Sequence, residues 1–456
     1  MNTRFPLPIA ALAAAFLWLA LSATSANESA DWYPFQSANP ADPGLIGMND
    51  WLDAPAGAKG RVARKGADLE AGGEPIRIWG INNTFAECAP EAAMAKQRAA
   101  FYAKYGINSV RLHKYGEGNG WRGILGDESF AKFDPERLDR MDYYIAQLKS
   151  RGIYVKLSPS FGPPRLMPGD LETVPFAEEF GSFEDGEGAI QVPHSSIFHS
   201  PAIQEVHIQQ TLNLLKHRNP YTGLTYAEDP AIWDLEIINE QSILFYTSSH
   251  GLERSETLRQ QAGLRFANWL REKYGNDEAL AEAWGEDALG SFELAPDESL
   301  AINYVLPVGN PYYWKLKTLE GPEQHRNQRH LDTLEFLTML QLEFYHRFVD
   351  AVRAAGYEGE ISASNWQAGS SLSHFANLWT DSRIGTIDRH NYFGGTPKNP
   401  DTGEREVNNA SMLRRAGAGM LSSGMQQVEG LPFMLSEWIH VWPNEWGVEG
   451  PAIIGA

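Results

Sequence analysis

Two glutamates stand out by where they fall. Glu240 closes the stretch AIWDLEIINE (231–240), and Glu437 lies within PFMLSEW (432–438). Each follows an apolar, partly β-branched run of strand length. In DLEIINEQ (234–241), Asn239 and Glu240 arrive with no turn residue before them. The strand end itself therefore presents an amide and a carboxylate. A pair of carboxylates suits cleavage of a glycosidic bond: one, protonated, gives its proton to the leaving oxygen, and the other attacks the anomeric carbon. Carboxyl groups about 5–5.5 Å apart serve a retaining mechanism and about 6.5–9.5 Å an inverting one. Two acids so close do not both ionise easily, so one pKa rises and the roles separate. Taken singly, either Glu reads equally well as a rim residue paired with an Arg. Two together at strand ends make the pair the better reading.

Such a pair needs rigid elements to hold it. The alternation that supplies them starts at IRIWGINN (76–83), a short strand ending in polar residues. PEAAMAKQRAAFYAKYG (90–106) reads as a helix, with Pro90 in its first turn and Gly106 just past its end. INSVRLHKY (107–115) is the next strand, and the helix at 135–152 puts Leu138, Met141, Ile145 and Leu148 on one face. Further strands are expected at 153–159, 231–240, 360–367, 384–395 and 432–438. Helices are expected around 203–217, 254–285 and 330–356. This rhythm means parallel strands joined by crossover helices. Seven strands in one series, and no GxGxxG after the first, favour a (β/α)8 TIM barrel over a doubly wound sheet. About twenty residues follow the seventh strand. The expectation is thus a (β/α)8 catalytic barrel over 76–456 that lacks its eighth strand here through truncation at the C-terminus.

Polar residues gather at the strand C-termini, the end where barrels carry function: Asn82, Asn83, Arg111, His113, Ser158, Asn239, Glu240, Asn365, His390, Tyr392 and Glu437. The stretches IINE and LSEW resemble the acid/base and nucleophile motifs of clan A retaining glycoside hydrolases, and family 5, the cellulase-like group, is the nearest match. SVRLHKY resembles that family's strand-two arginine motif, DRHNYF its strand-six His-x-Tyr, and NPYTGLTYAEDPAIWDLEIINEQ is similar to bacterial cellulase-like members throughout. The resemblance covers about residues 76–450. It implies Glu240 as acid/base, Glu437 as nucleophile and Asn239 as a ligand of the sugar 2-hydroxyl. It implies further that Tyr392 hydrogen-bonds the nucleophile, that Arg111 keeps Glu437 ionised, and that His113 and His390 line the reacting subsite. Trp366 and Trp438, close to strand ends, are the better candidates for stacking a sugar ring; Trp121, Trp442 and Trp446 read equally as core. The family's eighth strand, which usually bears a sugar-stacking Trp, has no counterpart in this chain. Other clusters carry less. GEGNG (116–120) lacks the Lys-Ser/Thr of a phosphate loop, and His194 and His199 lack metal-ligand spacing. No metal or cofactor is expected.

The bulk numbers agree. The chain has 456 residues with 43% hydrophobic and 21% charged, the profile of a globular protein. A net charge of −20 argues against nucleic acid or an anionic membrane surface as partner. Residues 1–26 carry one Arg, an apolar run and small residues. This reads as a signal peptide, which places the mature protein outside the cytoplasm, secreted or periplasmic. Residues 27–75 read as a lead-in with at most a short hairpin. The single cysteine, Cys88, permits no internal disulfide. The expected partner is a carbohydrate. The expected activity is retaining hydrolysis of β-glycosidic bonds in a polysaccharide or oligosaccharide. The alternatives are an exo-acting β-galactosidase- or β-mannosidase-like hydrolase, with the loop at 160–200 closing the cleft, and a catalytically inactive carbohydrate-binding barrel.

Overall fold

Seven strands and seven longer helices build the framework, described by a computed structural model. The residues it describes are 42–117, 122–285, 288–290, 293–307, 309–314, 327–366, 371–399, 402–414 and 423–455. The expected signal peptide and Trp121 lie outside them. In chain order come β1 (Gly80–Thr84), α1 (Ala92–Lys104), β2 (Ser109–His113), α2 (Pro135–Lys149), β3 (Tyr154–Ser158), α3 (Pro201–Lys216), β4 (Ile232–Glu236), α4 (Glu256–Tyr274), α5 (Asp277–Trp284), α6 (Asn327–Ala354), β5 (Glu360–Ser362), α7 (Ser371–Ser382), β6 (Ile387–Phe393) and β7 (Phe433–His440). β1 to β5 form one parallel sheet in the order β5-β4-β3-β2-β1, and β6 pairs with β7, also in parallel. The expected alternation of parallel strand and helix is therefore present. Local chemistry starts the helices: Asp134 accepts from Arg137 N before α2, Ser200 from Ile203 N before α3, and Ser255 from Leu258 N before α4.

The strands differ from expectation in one informative way. β4 was expected as an apolar run up to Asn239 and Glu240. It is buried throughout, but its alternate residues divide. Leu235 and Ile237 join the main apolar core, as do Val110 and Leu112 of β2 and Val155 and Leu157 of β3. The residues between them are Arg111, Lys156, Asp234 and Glu236, all buried and all charged types. Each strand thus has an apolar face toward the helices and a charged face toward the opposite side of the sheet.

β4 also stops earlier than expected, at Glu236. The chain still hugs β5 beyond that point: Ile237 N donates to Ser362 O at 2.9 Å and Glu240 N to Ser364 O at 2.9 Å. Glu240 itself turns into the left-handed region at φ 50°, as do Phe85, Lys114 and Asn365 just beyond β1, β2 and β5. Left-handed non-glycine backbone costs roughly 1–3 kcal/mol and gathers at functional sites. The lead-in holds a three-stranded antiparallel ribbon, Val62–Lys65, Asp68–Ala71 and Glu74–Pro75. Its Val62, Leu69 and Ala71 pack on Tyr154, Ala231 and Trp233, closing the end of the sheet away from the carboxylates.

Candidate active site

Glu437 lies on β7 beside a register break. Arg389 pairs with Leu435 but His390 pairs with Glu437, so Ser436 is an extra residue. Bulges of this kind re-aim the next side chain and recur beside active sites. Ser436 is tied on three sides: its N donates to Asp388 Oδ1 at 2.9 Å, its O accepts from Asn82 Nδ2 at 2.9 Å, and its Oγ lies 2.9 Å from His390 Nε2. The Asn82 contact reaches across from β1.

Two donors hold the Glu437 carboxylate, and two imidazoles stand near it. Arg111 Nη1 donates to Oε1 at 2.6 Å, and the Tyr392 hydroxyl donates to Oε2. His113 Nε2 and His390 Nε2 lie 3.5 and 3.6 Å from Oε1. Burial, then the Arg111 charge, hold both imidazoles well below their ordinary range. They are neutral at pH 7.

Glu240 faces this group. Its Oε1 is 2.6 Å from His390 Nδ1, and one of its carboxyl oxygens lies within 4.8 Å of one from Glu437. Burial first, and the Glu437 charge second, raise the Glu240 carboxyl to about 7. One acid is therefore half-protonated at neutral pH, while the other accepts from an arginine and a phenol. Glu240, His390 and Glu437 also have ligand atoms close enough to grip a cation. Arg111 already supplies the positive charge at Glu437 Oε1, which opposes a second cation there.

Of the other candidates, Asn239 accepts from Arg111 Nη2 on Oδ1 at 2.7 Å. Trp366 meets His390 edge-on at 6.0 Å between ring centres. Trp438 packs with Phe393, Met412 and Ile453. Trp442 is exposed, and the Arg414 guanidinium sits 4.5 Å over the Trp446 ring. His199 is buried in a short helical turn, and His194 meets Phe161 edge-on.

The charged floor beneath the pair was not foreseen. Arg111 grips Glu236 twice, Nε to Oε2 and Nη2 to Oε1, both at 2.9 Å. Lys156 hydrogen-bonds Asp234 and Ser362 Oγ, and its Nζ lies 3.2 Å from Asp388 Oδ2 and 3.6 Å from Glu236 Oε2. The signal was available in period two: SVRLH, YVKLS and WDLEI each alternate polar with apolar. Weight given to the hydrophobic residues hid the charged face.

The arrangement defines a class. A parallel α/β sheet that offers, at its strand ends, a carboxyl poised near neutrality and a second carboxylate clamped by an arginine has what two-carboxylate glycoside chemistry requires. The chain is 26% identical over 151 residues to mannan endo-1,4-beta-mannosidase 2 of Arabidopsis thaliana, which is 33% of each protein, so the chain matches about a third of that relative's length. Among solved structures it is similar to a beta-galactosidase from the haloarchaeon Halorubrum lacusprofundi (18% identity, TM-score 0.45, 72% of this chain and 42% of that one). It is also similar to an endo-1,4-beta-mannanase of Rhizomucor miehei (14%, TM-score 0.32, 71% and 99%) and to a glycoside hydrolase family 5 mannosidase of the same fungus (12%, TM-score 0.31, 86% and 97%). No family model matches. The last of these structures carries the name of glycoside hydrolase family 5, the group that the motifs resemble.

Proposed function

We propose that this protein hydrolyses β-linked mannans or galactosides by a retaining double displacement. Glu240 acts as acid and then base, and Glu437 as nucleophile. The observation that carries the reading is the asymmetry of the pair: Glu240 raised to about 7, within 4.8 Å of Glu437, which Arg111 and Tyr392 hold. That closeness suits direct attack and leaves less room than an intervening water needs. Protonated Glu240 gives its proton to the glycosidic oxygen as Glu437 attacks. The glycosyl–enzyme ester forms, and Tyr392 and Arg111 stop sharing the departed charge. Glu240, now a base, takes a proton from the water that breaks the ester.

Closure of the strands into a barrel belongs to the same proposal. Thr386 Oγ1 donates to Glu360 Oε2 at 3.0 Å, linking the approach to β6 with β5. A Cβ on Gly385 would sit 2.2 Å from Ile361 O, so only glycine allows that approach. The Asn82–Ser436 bond joins β1 to β7. Export from the cytoplasm rests on the N-terminal apolar run alone.

The exo-acting alternative draws on one observation. Phe161, in the loop after β3, is pinned by Gln241 Nε2 donating to its O at 3.2 Å and by its own N donating to Glu117 Oε1 at 2.7 Å. A wall therefore stands beside the residue that follows Glu240.

The test is incubation with linear β-mannan, β-galactan and their aryl β-glycosides, with product anomers followed by proton NMR. Retained β-anomers are expected, and Glu437→Gln abolishes them. Inverted products sink the double displacement, and glycan binding without hydrolysis by the wild type sinks the enzyme. Release of monosaccharide alone selects the exo reading, and a ladder of oligosaccharides the endo one.

A further inference from the structure

Glu236 is fully buried on β4, four positions before Glu240. It touches no space a substrate could reach, yet most of the site's polar groups trace back to it. Its Oε1 and Oε2 take the Arg111 fork at 2.9 Å each. Two parallel bonds fix the guanidinium plane, and that plane aims Nη1 at Glu437 and Nη2 at Asn239. Because Arg111 only donates, the Asn239 amide must turn its oxygen to the arginine. Its Nδ2 is left buried with no hydrogen-bond partner among the described residues: a donor held ready.

The second arm runs through Ser158. Its Oγ lies 2.7 Å from Glu236 Oε1 and 2.7 Å from His113 Nδ1. Burial would raise the Glu236 carboxyl, but the Arg111 and Lys156 charges and the Arg111 and Ser158 hydrogen bonds outweigh it and hold the group below its usual range. Glu236 is therefore a carboxylate and can only accept. The single Ser158 proton goes to it, and the His113 contact must be Nδ1–H donating to the serine oxygen. The neutral imidazole has one proton, so His113 Nε2 is a bare lone pair, 3.5 Å from Glu437 Oε1, an acceptor whose own donor is Arg111 Nη1. Two acceptors that face each other call for a donor between them.

We propose that Glu236 is the positioning residue of this site. Through Arg111 and Ser158 it sets which atoms meet the sugar: an amide donor from Asn239 and an imidazole acceptor from His113. The substrate hydroxyl at His113 thus enters as a donor. The proposal takes the Proposed function as its setting, but its main prediction is read without substrate.

The experiment is nitrogen-15 NMR of labelled enzyme at pH 7, in which the two imidazole nitrogens report the tautomer. His113 in the wild type is expected as the Nδ1–H form. Ser158→Ala deletes the acceptor and one bond to Glu236 Oε1 but leaves both Arg111 bonds to Glu236, and a shift of His113 toward the Nε2–H form, now donating to Glu437, is expected. Glu236→Gln is expected to do the same, and to lower kcat on an aryl β-glycoside about 100-fold, the order expected when a reacting group is displaced by about an ångström. Glu236→Asp is expected to recover part of that loss. A wild-type His113 in the Nε2–H form overturns the proposal, as does an unchanged tautomer in Ser158→Ala. If Glu236→Gln does not fold, the Ser158→Ala spectrum decides alone. Absence of hydrolysis by the wild type would count against the function and leave the tautomer result standing.

Discussion

Glu240 Oε1 and His390 Nδ1 lie 2.6 Å apart, and the other imidazole nitrogen is 2.9 Å from Ser436 Oγ. With His390 neutral, the proton in this contact sits on one side or the other: on the Glu240 carboxyl when that group is acidic, on Nδ1 when it is ionised. The imidazole can change tautomer, and the Ser436 hydroxyl turn to match, without a net charge entering the site. A carboxyl served in this way keeps a hydrogen-bond partner in both of its protonation states.

The first prediction concerns rate against pH. In the proposed acid role Glu240 must be protonated, and burial with the Glu437 charge sets it at about 7. On a substrate with a poor leaving group, kcat/KM should fall with an alkaline limb near that value. Glu240→Gln should lower the rate by about 10²–10⁴-fold. On a dinitrophenyl glycoside, whose leaving group needs no proton, the first step should be nearly spared. Equal losses on both substrates would remove Glu240 from the acid role.

Stability should follow the same group in the opposite sense from most carboxylates. Its folded pKa is raised from 4.5 to about 7. The folded state keeps a proton that the unfolded chain has lost, so this stability is complete below about 4.5 and disappears as pH rises through about 7. Glu240→Gln removes the burden of ionising a buried carboxyl. Its Tm should exceed that of the wild type at pH 8, and the gap should close by pH 5. Parallel melting curves for the two proteins across pH 5–8 would refute this.

How far the site was legible depended on which signal was weighed. The strand–helix alternation and the polar strand ends were open to view, because the period of apolar residues changes where the element changes. Glu240 and Glu437 could be singled out because two carboxylates at strand ends outweigh the rim reading that either one alone allows. Arg111, His113, Asn239, His390 and Tyr392 do surround them. Glu236, Lys156, Asp234 and Asp388 were missed because each sits inside a strand otherwise read by its hydrophobic residues. Their charges are paired only with residues far away in the chain, such as Lys156 with Asp388. The bulge at Ser436 depends on the register between two strands, which LSEW alone does not set.

Tyr392→Phe tests the surroundings of Glu437, the proposed nucleophile. The phenol donates to Glu437 Oε2 from a half-exposed ring, so its loss should lower the Tm by only a few °C. A hydrogen bond to a charged group contributes about 1.5–3 kcal/mol. Its removal should change kcat by about 10–100-fold. A raised KM with kcat unchanged would place Tyr392 in ground-state binding instead.

The charged floor yields the last prediction. Lys156 is buried among Asp234, Asp388 and Glu236. Burial raises the Asp234 and Asp388 carboxyls, and the Lys156 charge opposes that rise. Lys156→Met removes the opposing charge and leaves buried acids facing one another, a change that typically costs about 3–5 kcal/mol. The loss should be largest at pH 8 and shrink toward pH 5, because the two aspartates can then take up protons and stop repelling. Urea denaturation at the two pH values measures it. A loss that is equal at both would mean that Lys156 acts through its packing and not its charge. The damage should also reach the chemistry. Asp388 Oδ1 accepts from Ser436 N, and Ser436 sets the direction of Glu437. Activity in Lys156→Met should therefore fall even under conditions where the protein remains folded. A folded variant with full activity would show that the bulge holds its shape without the charges below it.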